Sequence, residues 1–290
     1  MSEPGGETPA PNPPPQRKSS FADVGMRTLS ALALAAIAIA ATFTGGIVFR
    51  VLTVLGSSLV FLEWMRMARA GGRSPHWLVP AIALAVLELS LFSRDSRIVL
   101  SVLLIGTVCS AFACFVNRRN YAGLAAFVYA GLAAIAFAFL RDDDRAGLLA
   151  ILFLFSIVWA TDVMAYFCGR LFGGPKLAPS ISPGKTWSGA LGGTLGGIAA
   201  AFLFTFCIGQ RPTLGIGLAA LLLSVVGQIG DLFESAVKRR YGVKDSSHLI
   251  PGHGGLMDRI DALVAAAFAL YLIGGFLSNF DLPAHAFFRP

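Results

Sequence analysis

The stretch GDLFESAVKRRYGVKDSSHLIPGHGGLMDRID, from Gly230 to Asp261, holds the densest set of groups in this chain that could do chemistry. Asp231, Glu234, Ser235 and Lys238 stand at i, i+3, i+4 and i+7, which puts all four on one face if the chain is helical there. Lys238, Arg239, Arg240 and Lys244 form a basic run, followed by a turn with His253, Gly254 and Gly255 and then Asp258, Arg259 and Asp261. Carboxylates with neither cysteine nor paired histidine suit a hard cation such as Mg²⁺, which takes one or two carboxylates plus substrate phosphates. Lys and Arg neutralise charge that develops on phosphoryl oxygens. Together these residues point to phosphoryl or nucleotidyl transfer. Plainer roles exist for single members: Glu234 and Lys238 also make an ordinary helix-supporting pair, and His253 an ordinary solvated turn residue. Neither accounts for Asp231, which lies deeper in an apolar run. A serine hydrolase does not fit, since no GxSxG occurs.

A second polar segment precedes it. Asp162 sits near the end of an apolar run, where a lipid-facing carboxylate costs about 2.5–3.5 kcal/mol, so it faces protein, a cation or interfacial water. The loop GRLFGGPKLAPSISPGKTWSG follows, carrying Ser182, Lys185 and Thr186 among glycines and prolines. Gly184-Lys185-Thr186 is not a nucleotide-binding P-loop, because Pro179 stands where that pattern needs glycine. It is still a rigid turn at a helix start, where backbone N–H groups favour phosphate. Gly189, Gly192, Gly193, Gly196 and Gly197 then give overlapping GxxxG pairs, the pattern of close helix packing within the chain or in a homodimer.

The elements that must position these groups follow from composition. Of 290 residues, 56% are hydrophobic and 13% charged, with a mean hydropathy of +0.71. A soluble fold carries about 25% charged residues and could not cover so much apolar surface, so the solvent is lipid. Nine apolar runs are long enough to suggest spans, at about 28–44, 47–64, 76–92, 98–116, 121–140, 146–168, 187–208, 213–233 and 257–279. The first two part at Gly45-Gly46, since a single helix would overshoot the bilayer. The expected fold is an all-α polytopic membrane bundle of about nine transmembrane helices. It divides into a disordered tail over 1–26, an N-terminal helical region of about five spans over 27–145, and a C-terminal catalytic region over 146–290 with inner loops at 169–186 and 234–256. The first run is retained rather than a cleaved signal, because its leader is long and mixed in charge and further spans follow.

Most of the 23 Lys and Arg fall on one side if the N-terminus is cytoplasmic and the spans are odd in number. The acidic run Asp142-Asp143-Asp144 then lies outside, and both polar segments face the cytoplasm. The formal charge of +7 reflects this loop bias and attraction to anionic lipid rather than nucleic-acid binding. Cys109, Cys114, Cys168 and Cys207 lie in apolar runs without metal-ligand spacing, as packed thiols do.

The run from Ser235 to Asp261 resembles the signature of the phosphatidate cytidylyltransferase (CDP-diglyceride synthase) family at Ser235, Lys238, Arg239, Lys244, Asp245, His253, Gly254, Gly255, Asp258, Arg259 and Asp261. The earlier segment is similar at Asp162, Tyr166, Gly169, Pro179, Ser182, Pro183, Lys185, Thr186, Trp187 and Gly189, and departs at Ser188, where the family usually has Glu. Before about residue 150 the likeness rests on hydropathy and on Glu63-Trp64. The resemblance implies that CTP and phosphatidic acid yield CDP-diacylglycerol and pyrophosphate. It implies Mg²⁺, with room for a second cation, at a cytoplasmic site of a bacterial inner-membrane protein that lipid reaches from the side. It implies Asp231 and Asp258 as metal ligands. Lys238, Arg239, Lys244 and Arg259 would offset charge beside Asp261, Ser182 and Lys185 would hold a phosphate, and Ser235, Asp162, His253, Gly254 and Gly255 would line the substrate site.

Two other readings share parts of this pattern. A CTP-dependent lipid-alcohol kinase would also bring a metal nucleotide to a membrane substrate. A transporter would place charges at helix breaks, but would also call for matching halves, which nine spans with all motifs in one half do not supply.

Overall fold

A computed structural model describes residues 21–72, 76–116, 121–247, 249–250 and 254–288. Among these residues nine α-helices form: α1 (Phe21–Thr44), α2 (Gly46–Ala70), α3 (Leu78–Ser90), α4 (Ser96–Val116), α5 (Ala122–Arg141), α6 (Arg145–Phe172), α7 (Trp187–Cys207), α8 (Leu214–Arg240) and α9 (Met257–Leu277). Seven are long and apolar enough to cross a membrane, while the apolar parts of α1 and α3 are shorter. The chain is a multi-pass helical membrane protein. The expected tail over 1–26 lies outside the described residues up to position 20, and α1 begins at Phe21, earlier than expected.

Local chemistry explains the breaks. Gly45 and Gly46 both take positive φ, which lets the chain reverse between α1 and α2. A Cβ on Gly45 would fall 2.8 Å from the guanidinium carbon of Arg141, whose Nε donates to the carbonyl of Thr42 at 2.6 Å. A cation thus closes the C-terminal end of α1. The side chains of Asp144, Thr186 and Thr213 accept from Gly147, Gly189 and Ile216 at the starts of α6, α7 and α8.

The core centres on α5, whose alanines and Phe127, Ile135 and Phe139 are buried among α2, α3, α6 and α9. Large apolar side chains such as Leu104, Phe112, Leu195 and Phe206 face outward on α4 and α7, as lipid contact demands. The glycines of α7 admit the backbone of α6: a Cβ would stand 2.8 Å from the Ala165 carbonyl at Gly189 and 2.7 Å from the Thr161 carbonyl at Gly193. The glycine stripe therefore packs within the chain.

One end of the bundle collects the residues expected outside. Arg50 is buried, donates to the Leu91 carbonyl at 2.6 Å and lies 3.8 Å from Asp142. Asp143 pairs with Arg94, Asp144 with His285, and Asp281 accepts from the amide of Ser96. Here burial pushes the Asp142 carboxyl up, whereas Asp144, despite burial, is held below the usual range by the amide of Gly147 and by His285.

The inner loops are shorter than expected, because helix continues past the apolar runs. α6 extends to Phe172 and α8 to Arg240, leaving 173–186 and 241–256 as connections. The first contains a small antiparallel hairpin, β1 (Lys176–Ala178) with β2 (Ser182–Thr186), pairing Lys176 with Thr186 and Ala178 with Ser182.

Candidate functional site

The continuation of α8 fulfils the condition for its polar face: Asp231, Glu234, Ser235 and Lys238 lie on one helix. α8 packs tightly on α9 because Gly227 and Gly230 face it. A Cβ on Gly230 would stand 2.9 Å from the carbonyl of Asp261. This close approach sets the carboxylates of the two helices beside each other.

Lys238 is the bridge between them. Its ammonium lies 2.5 Å from Oε2 of Glu234, which is fully buried, and 2.8 Å from Oδ1 of Asp258. Asp258 accepts further bonds from the amides of Ser246 (3.0 Å to Oδ2) and Gly255 (2.8 Å). The Ser246 hydroxyl stands 2.9 Å from Asp258 Oδ2 and 3.0 Å from Glu63 Oε2, so its single proton serves one of them at a time. Asp258 is therefore held by the protein itself, tying loop 241–256 to the start of α9.

Asp231 has a different partner. Lys185, at the end of the hairpin, reaches Asp231 Oδ2 at 2.6 Å, and the Ser235 hydroxyl lies 3.5 Å from its other oxygen. The hairpin is fixed from both sides. Arg239 Nε donates to the Ile181 carbonyl at 3.4 Å, and Ser188 donates to the carbonyl of Gly173. Ser188 thus fastens the two ends of the connection. Asp162 on α6 and Asp231 and Asp261 on the α8–α9 pair are close enough to repel one another, with Lys185 and Lys238 as counter-charges. The two polar segments, joined through Lys185 and Asp231, form one site.

Among the described residues no three His, Cys, Asp or Glu side chains converge to hold a metal by themselves. Two carboxylates completed by substrate phosphates remain compatible with Mg²⁺. The chemistry of the donors separates the candidates. Asp258 has both oxygens engaged by Lys238 and by the amides of Ser246 and Gly255, whereas Asp231 meets the part-exposed Lys185 and the Ser235 hydroxyl at 3.5 Å.

Other expected site residues are spread around this centre. Lys244 and Asp245 are exposed on the loop, and Arg239 is exposed beyond its contacts with Ile181 and Val243. Arg259 is exposed on the side of α9 that turns toward α1 and α2, where it borders an apolar cavity. Ser182 is half-buried in β2. His253 lies outside the described residues. Gly254 has φ +82°, and a Cβ there would stand 2.6 Å from Asp258 Oδ2; one on Gly255 would stand 2.6 Å from Glu63 Oε1. The space left by both glycines is thus taken by the protein's own carboxylates.

Glu63 and Trp64 are what sequence reasoning left without a role. Glu63 on α2 is buried and accepts from the amides of Leu256 (2.9 Å) and Met257 (2.8 Å) and from the hydroxyl of Ser247 (2.7 Å). It satisfies the open N–H groups at the start of α9 from 193 residues away in sequence, as a capping side chain does locally. Trp64 donates to the Tyr241 hydroxyl at 3.3 Å, at the other end of the same loop. The signal available was a carboxylate at the inner end of an apolar span.

Comparison with known proteins fits this geometry. The profile of the cytidylyltransferase family matches residues 25–277. Phosphatidate cytidylyltransferase of Brucella suis is 39% identical over 268 residues, covering 90% of this chain and 97% of that one. The enzyme of the same name from Bacillus subtilis is 33% identical over 264 residues, 87% of this chain and 97% of its own. That of Haemophilus influenzae is 47% identical over 129 residues, 43% of this chain and 45% of its own.

Proposed function

The chain belongs to the cytidylyltransferase family, and we infer that it makes CDP-diacylglycerol and pyrophosphate from CTP and phosphatidic acid in phospholipid biosynthesis. The family match leaves the lipid-alcohol kinase and transporter readings without support. The observation that carries the reading is the Lys185–Asp231 pair, which joins the hairpin to the carboxylate face of α8 beside Lys238.

In the reaction, an anionic phosphate oxygen of phosphatidic acid attacks the α-phosphorus of CTP. The new P–O bond forms as the bond to the β-phosphate oxygen breaks, and pyrophosphate leaves. Because the nucleophile is already ionised, no general base is required. Lys185 exchanges its carboxylate partner for a substrate phosphate, with Ser182 beside it. Arg239, Lys244 and Arg259 surround the site with positive charge, which is worth most where water is excluded. Lys238, anchored between Glu234 and Asp258, keeps the helix pair and the loop in register while adding to that field.

Asp231 and Asp261 would hold Mg²⁺ together with substrate phosphates; bound there, it would neutralise phosphoryl oxygens and the leaving pyrophosphate. Asp258, expected from the resemblance as the second ligand, is assigned instead to positioning, since its oxygens are already engaged. The site is assigned to the cytoplasmic side, where CTP is found, with the N-terminus on the same side of a bacterial inner membrane.

The test is direct. Purified protein incubated with labelled CTP, Mg²⁺ and phosphatidic acid in detergent should yield labelled CDP-lipid and one pyrophosphate per turnover. CDP release with a polyprenol, and no CDP-lipid, would overturn the reading.

A further inference from the structure

An apolar cavity of about 360 Å³ lies between α1, α2, α5, α6 and α9. Arg259, in the first turn of α9 and one residue after Asp258, is the charged side chain among the described residues that line it. From there it follows α2 past Val60 and Gly56 to Phe49, with Trp159 of α6 on one side and Phe137 of α5 near the far end. The eleven helical steps from Val60 to Phe49 span about 16 Å at the rise of 1.5 Å per residue. That is about the depth of one leaflet of a 30 Å hydrocarbon core.

Gly56 sets this cavity apart from the other helix contacts. Gly189 and Gly193 of α7 and Gly230 of α8 are needed because a Cβ would strike a neighbouring helix. At Gly56 a Cβ would meet nothing within 4 Å. Glycine is unfavourable inside a helix, and no close packing calls for it here. What its missing side chain leaves is open space on the cavity wall. Ser57 and Thr53, the hydroxyls in the wall, are bonded to Glu88 and to the Phe49 carbonyl, so the lining presents no unmet polar partner to water.

We propose that this cavity receives one acyl chain of phosphatidic acid, with the lipid phosphate at Arg259, and that the opening at Gly56 and the far end at Phe49 and Phe137 set the chain length accepted. The proposal rests on the cytidylyltransferase reading above and adds a determinant of substrate choice. The charge arrangement matches this occupant. A guanidinium, whose planar fork suits phosphate, lines the α9 end of the cavity, and the rest of the lining is compatible with hydrocarbon. The headgroup is thereby held beside the carboxylate site while the tail stays inside the bundle.

The experiment compares the full-length wild type and Gly56→Phe with dioctanoyl and dipalmitoyl phosphatidic acid in mixed micelles at saturating CTP. Filling the cavity about 6 Å below Val60, at 1.5 Å per residue, should lower kcat/KM for the dipalmitoyl substrate at least tenfold relative to the dioctanoyl one, with KM for CTP unchanged. An equal change for both lipids, or none, would overturn the proposal. A second measurement does not depend on turnover or on the variant folding. Phosphatidic acid with a photoreactive group at its chain end should label wild-type peptides containing Phe49 or Phe137. Labelling confined to the lipid-facing sides of α4 and α7, as a bilayer lipid or detergent-like occupant would give, overturns it too. Absence of CDP-lipid from the wild type with every chain length would instead count against the enzymatic reading.

Discussion

Lys238 of α8 holds Asp258 of α9 at 2.8 Å and buried Glu234 at 2.5 Å, so a single ammonium joins the two helix ends that carry the site. Removing one partner from such a buried cluster strands the others, which typically costs about 3–5 kcal/mol. Lys238→Met should therefore lower thermal stability in detergent as well as abolish turnover. Asp258→Asn keeps the shape but cannot accept every bond that the carboxylate takes. It should lower kcat by about 10²–10³ and also reduce the melting temperature. A normal melting temperature together with near-normal turnover would remove Asp258 from both roles.

Lys185 and Asp231 behave differently, because about a third of each side chain is exposed. Such a pair contributes only about 0–1 kcal/mol to stability. Lys185→Ala should leave the melting temperature nearly unchanged while reducing kcat by about 10²-fold through loss of one phosphate contact. Loss of stability without loss of turnover would show the pair to be structural.

Metal dependence distinguishes the carboxylates. Asp231→Asn and Asp261→Asn should each raise the Mg²⁺ concentration needed for half-maximal turnover, whereas Asp258→Asn should lower kcat without that shift. Titration of activity with Mg²⁺ after chelation reads the difference. A shift confined to the Asp258 variant would reverse the assignment.

Glu63→Ala would leave the amides of Leu256 and Met257 without a partner, at about 1–3 kcal/mol for a buried unsatisfied group. Hydrogen exchange should accelerate at those amides and at Ser246 while the amides of α5 stay protected. Glu63→Gln, which keeps an acceptor, should be intermediate. Unchanged exchange at Leu256 and Met257 in the alanine variant would dismiss the capping role.

At the opposite end, Asp144 has its folded pKa depressed, opposed by burial but secured by the Gly147 amide and His285. A depressed carboxylate contributes stability that is complete above its unfolded value of about 3.9 and is lost as pH falls through the lower folded value. Melting between pH 3 and 7 should show this acid-side loss in the wild type, and a smaller one in Asp144→Asn.

The sequence alone determined that the chain is a multi-pass helical bundle, because apolar length is a local property and the break at Gly45-Gly46 is written in residues that tolerate positive φ; of the nine runs expected, seven form described helices long and apolar enough to cross a membrane. It also determined the chemical character of the site, since Asp, Lys and Gly at that density near two span ends have no purely apolar use. Helix ends were less legible: α6 and α8 run on to Phe172 and Arg240 because a helix propagates beyond the residues that must lie in lipid. Partner choice was decided only by tertiary structure. Nothing local tells Asp258 to take Lys238 and Ser246, Asp231 to take Lys185, or Glu63 to close the start of a helix 193 residues further on. Those pairings depend on which helix faces which, and that is fixed by the close approaches that glycines at 189, 193 and 230 permit across the bundle.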